Sequence, residues 1–267
     1  MRKRLLCVLA VALLLASGAA VSAAEKQFTI GATIWDMSNP FYANFIQGLH
    51  DAAKDFNLNL LLRDGQGDPN TQVAVVRQYI AENVDLILIV PGDSQAVVPV
   101  IIQANQAGIP VISANNRVGE GAEVVTFVGA DDFYFGQQQA RLLTQAIGTK
   151  GNVAYLMGEL GTSAQVLRQA GFEDVLKDYP DIKIVTSISD GWDSAKSLAA
   201  TQDILLTYPA GTLDAIVNQG PAGVPGSKYA QQIGRTEVKW NGEWFFALGQ
   251  TCEYGYPSGS GRASKLS

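Results

Sequence analysis

Short aliphatic runs alternate with segments of helical periodicity along most of this 267-residue chain. The run 85–90 is almost unbroken, as is typical of a strand covered by other elements on both faces. Such alternation predicts an α/β fold, with parallel sheets that carry helices on both faces. The predicted strands are, in chain order, 28–34, 58–62, 85–90, 109–112, 124–129, 151–157, 182–188 and 213–217.

The pattern begins again at about residue 131, so the chain contains two similar series of strands and helices. We therefore predict two Rossmann-like lobes with parallel sheets, residues 25–130 and 131–238. Ligands of open parallel sheets bind beyond the carboxyl ends of the strands. Binding residues are accordingly expected in the turns that follow the strands, at 35–42, 91–94, 113–117, 158–168, 189–193 and 218–221.

Several turns carry a capping residue beside a proline, which is a common start of a helix. Asn39-Pro40 and Asp68-Pro69 have this form. Asp93 or Ser94 is predicted to cap a further helix that ends near Gly108 and is bent by Pro99.

The first 24 residues have the order of a secretory signal peptide. Three basic residues, Arg2 to Arg4, precede twelve apolar residues, Leu5 to Ala16, and small residues follow. Twelve residues are too few for a bilayer span, which needs about 20, and the alternative is a buried N-terminal helix. We expect export to the periplasm, with cleavage after Ala23 or Ala24, which takes the net charge from −6 to about −9.

The composition offers little material for catalysis or for nucleic-acid binding. The chain has one histidine, two cysteines and a net charge of −6. It lacks G-x-G-x-x-G, P-loop and G-x-S-x-G motifs. We therefore expect no enzyme, no metal, no cofactor and no nucleic-acid partner. His50 is interpreted as a surface residue, and Asp131-Asp132 as a crossover turn and helix cap.

Four short stretches form a specific combination between residue 28 and about residue 238. The stretches are Thr29-Ile30-Gly31 with Ser38-Asn39-Pro40-Phe41-Tyr42, Asp85-Leu86-Ile87-Leu88-Ile89 with Pro91-Gly92-Asp93-Ser94, Ala107-Gly108-Ile109-Pro110-Val111-Ile112, and Gly129-Ala130-Asp131-Asp132. Together they resemble the type I periplasmic substrate-binding proteins of ABC importers, the family that binds ribose and galactose.

The resemblance implies two lobes that close on a ligand, as in the hinge movements of such proteins. It implies a monomeric periplasmic protein that binds a small polar solute, most simply a monosaccharide, and delivers it to an ABC transporter permease. One alternative is a ligand sensor that partners a chemoreceptor or a sensor kinase. A lactose-repressor-type effector domain shares the fold, but an export signal stands where the DNA-binding headpiece would be.

The resemblance also implies ligand-binding residues in the first lobe. Asn39 falls at a ligand position, although its other role is to cap the following helix. Phe41 and Tyr42 fall at ring-packing positions, with core packing as the alternative. Trp35, at the end of the first strand, is a further candidate for stacking on the ligand, with ordinary packing within the lobe as the alternative.

Five more candidates follow from the resemblance, and all of them except Trp192 depart in part from the family pattern. Asn115 and Asn116 stand where the family frequently has Asp-Arg, and a simple turn is the alternative. Arg168 lies two residues after the position where several relatives carry a ligand arginine, so an inter-helix or solvated role is also open. Trp192 matches a second-lobe aromatic position, with core packing as the alternative. Asn218 lies where the family usually has an Asn-Asp pattern, so a second-lobe hydrogen-bonding group is either lost or moved to Asn218.

The alternation stops at about Lys239, and residues 239–267 form an atypical tail rich in glycine, serine and aromatic residues. The family continues with a return to the first lobe, which is not recognisable here. We therefore expect an incomplete second lobe and hypothesise a truncated or frameshifted family member, one alternative being a non-functional protein.

Overall fold

The computed structural model describes residues 26–240, and this part of the chain forms two lobes, each with one parallel sheet. The first sheet has the order β2-β1-β3-β4-β5, and all of its pairs are parallel. Helices connect the first four strands of this sheet, as parallel pairing requires, and a loop leads from the fourth strand to the fifth. The first-lobe elements are β1 Thr29–Ile34, α1 Ala43–Asp55, β2 Asn59–Asp64, α2 Pro69–Ala81, β3 Leu86–Val90, α3 Val98–Gln106, β4 Val111–Ala114 and β5 Thr126–Val128.

The second lobe repeats this plan around a four-stranded parallel sheet in the order β7-β6-β8-β9. Its elements are α4 Asp132–Ile147, β6 Lys150–Met157, α5 Ser163–Leu176, β7 Asp181–Ser189, α6 Ser194–Thr207, β8 Ala215–Asn218, α7 Val224–Gln232 and β9 Lys239–Trp240. The predicted fold class, two α/β lobes with parallel sheets, is confirmed.

Polar side chains start the helices at the carboxyl ends of the strands. Asp68 accepts the N–H of Thr71 at 2.8 Å, and Pro69 occupies the first turn of α2. Asp131 caps α4 in the same way at the crossing between the lobes, by accepting the N–H of Tyr134 at 3.0 Å. Because the strands of each sheet are parallel, the turns that precede these helices lie at the same edge of the sheet.

Helices α4 and α5 approach each other so closely that two glycines are required between them. A Cβ at Gly136 would lie 2.0 Å from the carbonyl oxygen of Arg168, and one at Gly171 would lie 2.0 Å from that of Phe133. This close packing holds the start of α5, which carries Arg168, against α4.

The helix after β3 differs from its prediction. It begins at Val98, with Pro99 in its first turn, and Pro99 therefore does not bend it. Asp93 instead accepts the N–H groups of Gln95 and Ala96 at 2.8 and 2.9 Å in a separate turn. Proline lacks an N–H donor, and the first turn of a helix needs none.

The second sheet extends past the predicted lobe boundary at residue 238. Lys239–Trp240 pairs in parallel with β8, and the side chain of Trp240 is buried in the core of this lobe. Within residues 26–240, no helix is long and apolar enough to cross a membrane. The predicted leader, 1–24, and the remainder of the predicted tail, 241–267, lie outside the described residues.

Candidate functional site

A cavity of about 100 Å³ lies between the two lobes, at the carboxyl ends of their strands. Seven of the nine predicted ligand residues line it, together with Ala164 and Pro221. The seven are Asn39, Phe41, Tyr42, Asn115, Asn116, Arg168 and Trp192. The structure thus brings residues from both halves of the sequence to one place, the edge where ligands of parallel sheets bind.

The first-lobe wall combines two aromatic rings with a helix cap. Asn39 accepts the N–H of Phe41 at 3.0 Å, so it caps the 3₁₀ turn Pro40–Tyr42 while it also lines the cavity. Phe41 is 63% exposed, which separates it from the core, whereas Tyr42 is buried. The two rings meet edge to face with centroids 5.1 Å apart. Burial raises the pKa of Tyr42 to about 12, despite a hydrogen bond with Asn115, so its hydroxyl stays neutral.

Asn115 and Asn116 follow β4 and bring two amides to the cavity. Asn115 adopts a left-handed backbone conformation, with φ of 57°, which asparagine tolerates better than most residues. Asn116 is 3% exposed and donates its amide N–H to the carbonyl oxygen of Pro91 at 2.8 Å. Its Oδ1 is buried and has no hydrogen-bond partner among the described residues. A buried acceptor of this kind is costly unless a donor reaches it, so Asn116 favours a ligand that offers a hydroxyl or N–H.

Arg168 lies on α5, lines the cavity and also contacts α4. Its Nε donates to Asp132 at 2.8 Å, and an η nitrogen donates to the carbonyl oxygen of Gln219 at 2.8 Å. The guanidinium carbon lies 5.2 Å from the ring centre of Trp192 and 4.5 Å from that of Phe135. Because Asp132 balances its charge, the arginine adds donors and a flat surface to the cavity more than net charge.

Trp192 forms the second-lobe wall from the turn after β7. Its backbone has a left-handed φ of 62°, which follows that of Gly191 at 61°. The indole ring lies against two glycines that follow neighbouring strands. A Cβ at Gly158 would come within 1.9 Å of the ring, and a Cβ at Gly220 within 2.7 Å. The ring therefore occupies a slot that the side chain of any residue larger than glycine at position 158 or 220 would enter.

The structure places the other two candidates outside the cavity wall. The ring of Trp35 lies over Gly92, where an added Cβ would be 1.8 Å away. Asn218 is fully buried, and it donates to Asp190 and Ser197 at 2.6 and 3.0 Å. A position at the end of a strand predicts the edge of the sheet but not the direction of the side chain, which neighbouring glycines and polar groups decide here.

Sequence reasoning missed several residues that shape the site. Glu159 follows β6, and burial raises its pKa, with Lys196 opposing the shift and Asp36 of the first lobe adding to it. Asp132, read only as a turn and cap, is 3% exposed and pairs with Arg168. Asp190, after β7, was not singled out either. The sequence signal for these residues is that each acidic side chain follows a strand. This signal does not identify their partners, which come from distant parts of the chain.

Direct hydrogen bonds join the lobes beside the cavity. The N–H of Ser94 donates to the carbonyl oxygen of Gly161 at 3.0 Å, and the N–H of Arg117 donates to the hydroxyl of Ser163 at 2.7 Å. The described conformation is therefore one in which the lobes are in contact.

Alternative sites receive no support from the geometry. His50 is exposed on α1. Over the described range, no group of three histidine, cysteine, aspartate or glutamate residues is arranged to hold a metal ion.

Comparison with known proteins gives a consistent result. The chain is 31% identical to a ribose import binding protein of Bacillus subtilis, over 69% of this chain and 60% of that protein. It is 30% identical to a xylitol-binding protein of Mycolicibacterium smegmatis, over 84% of this chain and 64% of that protein. The chain thus spans about three fifths of the length of these curated relatives.

A solved structure shows the same architecture. It is an ABC transporter periplasmic solute-binding protein from Actinobacillus succinogenes with bound D-allose, 30% identical, with a TM-score of 0.69 over 80% of this chain and 77% of that one. The model of the periplasmic binding protein domain matches residues 30–247, and the resemblance seen in the sequence is confirmed. The chain belongs to the periplasmic binding protein family.

Proposed function

We propose that this protein is an exported, non-catalytic solute-binding protein that captures a small uncharged polyhydroxy compound, a monosaccharide or polyol, between its lobes. It then delivers this ligand to the permease of an ABC importer and acts as a monomer. The observation that carries the proposal is the interlobe cavity, in which aromatic rings face amide groups and Asn116 offers an unpaired buried acceptor.

The wall chemistry supports an uncharged ligand. Its one charged side chain within residues 26–240, Arg168, is paired with Asp132, so a ligand carboxylate or phosphate meets no surplus positive charge. The C–H faces of a sugar or polyol pack on aromatic rings such as Phe41 and Trp192. Hydroxyl groups both donate and accept, so they satisfy the Oδ1 of Asn116 and the amide N–H groups of its neighbours.

The names of the relatives support the same class. The names describe proteins that bind ribose, xylitol or D-allose, and all three compounds are uncharged and polyhydroxylated. The basic and apolar leader, 1–24, supports export to the periplasm.

Thermal unfolding of the full-length chain, with D-ribose, D-allose and xylitol added separately, tests the proposal. A ligand at one hundred times its dissociation constant adds about 2.7 kcal/mol to the free energy of unfolding. We expect one compound to raise the unfolding temperature, and glucose 6-phosphate and gluconate to leave it unchanged. Stabilisation by a charged compound alone, or by none of a wider set of sugars and polyols, would contradict the proposal.

The variant Asn116→Ala, measured in the same thermal unfolding experiment, tests whether the Asn116 side chain binds the ligand. We expect it to weaken binding about tenfold, because a buried hydrogen bond to the ligand is lost. Asn44→Ala is the matched control, since Asn44 is an exposed asparagine of α1 away from the cavity wall. Equal ligand responses in both variants would show that the compound binds elsewhere.

Delivery to an importer requires a separate measurement. Deletion of the gene is expected to abolish uptake of the radiolabelled compound identified above. Normal uptake with a lost chemotactic or transcriptional response would instead indicate the sensor role.

A further inference from the structure

A fully buried carboxylate, that of Asp190, lies directly behind the cavity wall. It accepts the backbone N–H of Trp192 at 2.9 Å, the amide of Asn218 at 2.6 Å and the hydroxyl of Ser197. None of the ion pairs in the described part of the chain includes this carboxylate. Hydrogen-bond donors alone therefore compensate its negative charge. Burying a carboxylate in this way costs free energy of folding.

These donors connect two turns that come from different strands. Asp190 follows β7, and Asn218 ends β8. The Oδ1 of Asn218 accepts the N–H of Gly220 at 2.9 Å, and Gly220 is one of the two glycines against which the ring of Trp192 rests. The carboxylate thus holds both the backbone of Trp192 and one side of the slot that receives its ring.

We propose that Asp190 is a positioning residue, which acts through Trp192 and Asn218 to set the orientation of the Trp192 ring in the cavity wall. Trp192 lines the cavity, and Asp190 is not among the lining residues. The consequence for ligand affinity rests on the proposed function, whereas the effect on the ring is a property of the protein alone.

Both side-chain oxygens at position 190 must accept a hydrogen bond. One accepts from the N–H of Trp192 and the other from the amide of Asn218. An asparagine at 190 keeps an acceptor for the N–H of Trp192 only if its own amide N–H₂ faces the N–H₂ of Asn218. Two donors then oppose each other in a buried site, and one of the turns must move. Burial raises the pKa of Asp190, hydrogen bonds from Asn218 and Trp192 lower it, and the charge of Asp193 raises it further.

A reciprocal exchange restores the complementarity. In the double variant D190N/N218D, the asparagine donates from position 190 to an aspartate at position 218. That aspartate accepts the N–H of Gly220 and the hydroxyl of Ser197 as well. The exchange retains the charge and the volume of the pair. It reverses the direction of the bond between positions 190 and 218 and of the bonds that both positions make with the hydroxyl of Ser197.

The test measures Trp192 in the full-length chain without ligand. Iodide quenching and the near-ultraviolet circular dichroism spectrum are recorded for the wild type, Asp190→Asn and D190N/N218D. Each is repeated in a Trp192→Phe background, so that the difference isolates this indole from the other three tryptophans of the chain. Asp181→Asn is the control, because Asp181 is an exposed aspartate at the opposite end of β7.

We expect Asp190→Asn to change the Trp192 difference spectrum and to increase its quenching, and D190N/N218D to restore both. An unchanged Trp192 signal in Asp190→Asn, or a well-folded double variant that is not restored, would overturn the proposal. Should Asp190→Asn not fold, Asn218→Ala removes the same contact from the partner, and an unaltered Trp192 signal in that variant would overturn it equally.

Ligand affinity is then measured with D-ribose, D-allose and xylitol. Affinity is expected to fall about tenfold in Asp190→Asn, as for loss of one buried contact, and to recover in the double variant. If none of these compounds binds the wild type, the proposed function is in question, while the Trp192 measurements still decide the role of Asp190.

Discussion

Arg168 and Asp132 form the most buried ion pair among the described residues, with side chains 19% and 2% exposed. The pair links α4 to α5, and the guanidinium also extends to the carbonyl oxygen of Gln219 after β8. Removing one member of a buried pair leaves the other charge without compensation. At the scale of the residue, the cavity wall and the stability of the second lobe therefore depend on the same side chain.

Arg168→Met is expected to lower the free energy of unfolding by about 3 kcal/mol, because Asp132 stays buried without a counter-charge. Urea unfolding measures this loss. Adding Asp132→Asn should recover part of it, since the uncompensated charge is then removed. Lys177→Met breaks an exposed pair with Asp174 and should change little. A loss no larger in Arg168→Met than in Lys177→Met would show that the buried pair is not stabilising.

Sequence reasoning at this scale identified which turns carry the cavity, and it placed Asn116 and Trp192 in them. It could not identify the unpaired Oδ1 of Asn116, because that depends on the carbonyl oxygen of Pro91 taking the other end of the amide. Nor could it assign Trp35, whose ring position depends on the absence of a side chain at Gly92.

The packing of α4 against α5 is set at the scale of the element by two glycines. Gly136 and Gly171 each face a carbonyl oxygen of the other helix at a distance that no side chain permits. Larger residues at such positions force the helices apart. Because Arg168 lies on α5, a shift between these helices also displaces part of the cavity wall.

Gly171→Ala is expected to lower the free energy of unfolding by about 1–3 kcal/mol and to weaken ligand binding, because the helices must separate. Gly48→Ala is the control in α1, where an added Cβ meets nothing within 4 Å. It should instead stabilise the chain by about 0.5–1 kcal/mol, through the better helix propensity of alanine. Chemical unfolding of both variants gives the comparison, and a stabilised Gly171→Ala would refute the close-packing argument.

The succession of strands and helices could be predicted from the sequence because apolar runs and capping residues are local signals. The start of α3 and strand β9 could not. Asp93 is a good cap, but it closes a separate turn before the helix at Val98. Lys239–Trp240 is too short to show a period, and it becomes a strand only because β8 lies beside it.

At the scale of the whole molecule, charged groups of the two lobes interact with each other at an acidic residue. Glu159 belongs to the second lobe, and Asp36 of the first lobe is near enough to raise its pKa further. Burial is the main cause of the shift, and Lys196 opposes it. The repulsion from Asp36 acts only where the lobes are together, so this part of the raised pKa means that protonated Glu159 favours closure. The contribution is therefore complete below the ordinary pKa of glutamate and is lost as the pH rises through the raised value.

Glu159→Gln is expected to increase ligand affinity at pH 7 and above, and to remove this part of the pH dependence. Isothermal titration calorimetry between pH 4 and pH 8 compares the variant with the wild type, using the compound found in the unfolding experiment. Glu120→Gln changes an exposed glutamate away from the cavity wall and serves as the control. If Glu159→Gln binds more weakly at pH 7, attraction to Lys196 outweighs burial and the repulsion from Asp36.

The bonds that join the lobes are made mostly by main-chain atoms. In the two bonds described above, Ser94, Gly161 and Arg117 contribute backbone groups, and Ser163 contributes its side chain. The cavity wall, by contrast, is made largely of side chains such as Trp192 and Asn116. Substitutions in the wall can therefore change its shape and polarity while the backbone bonds that join the lobes are retained.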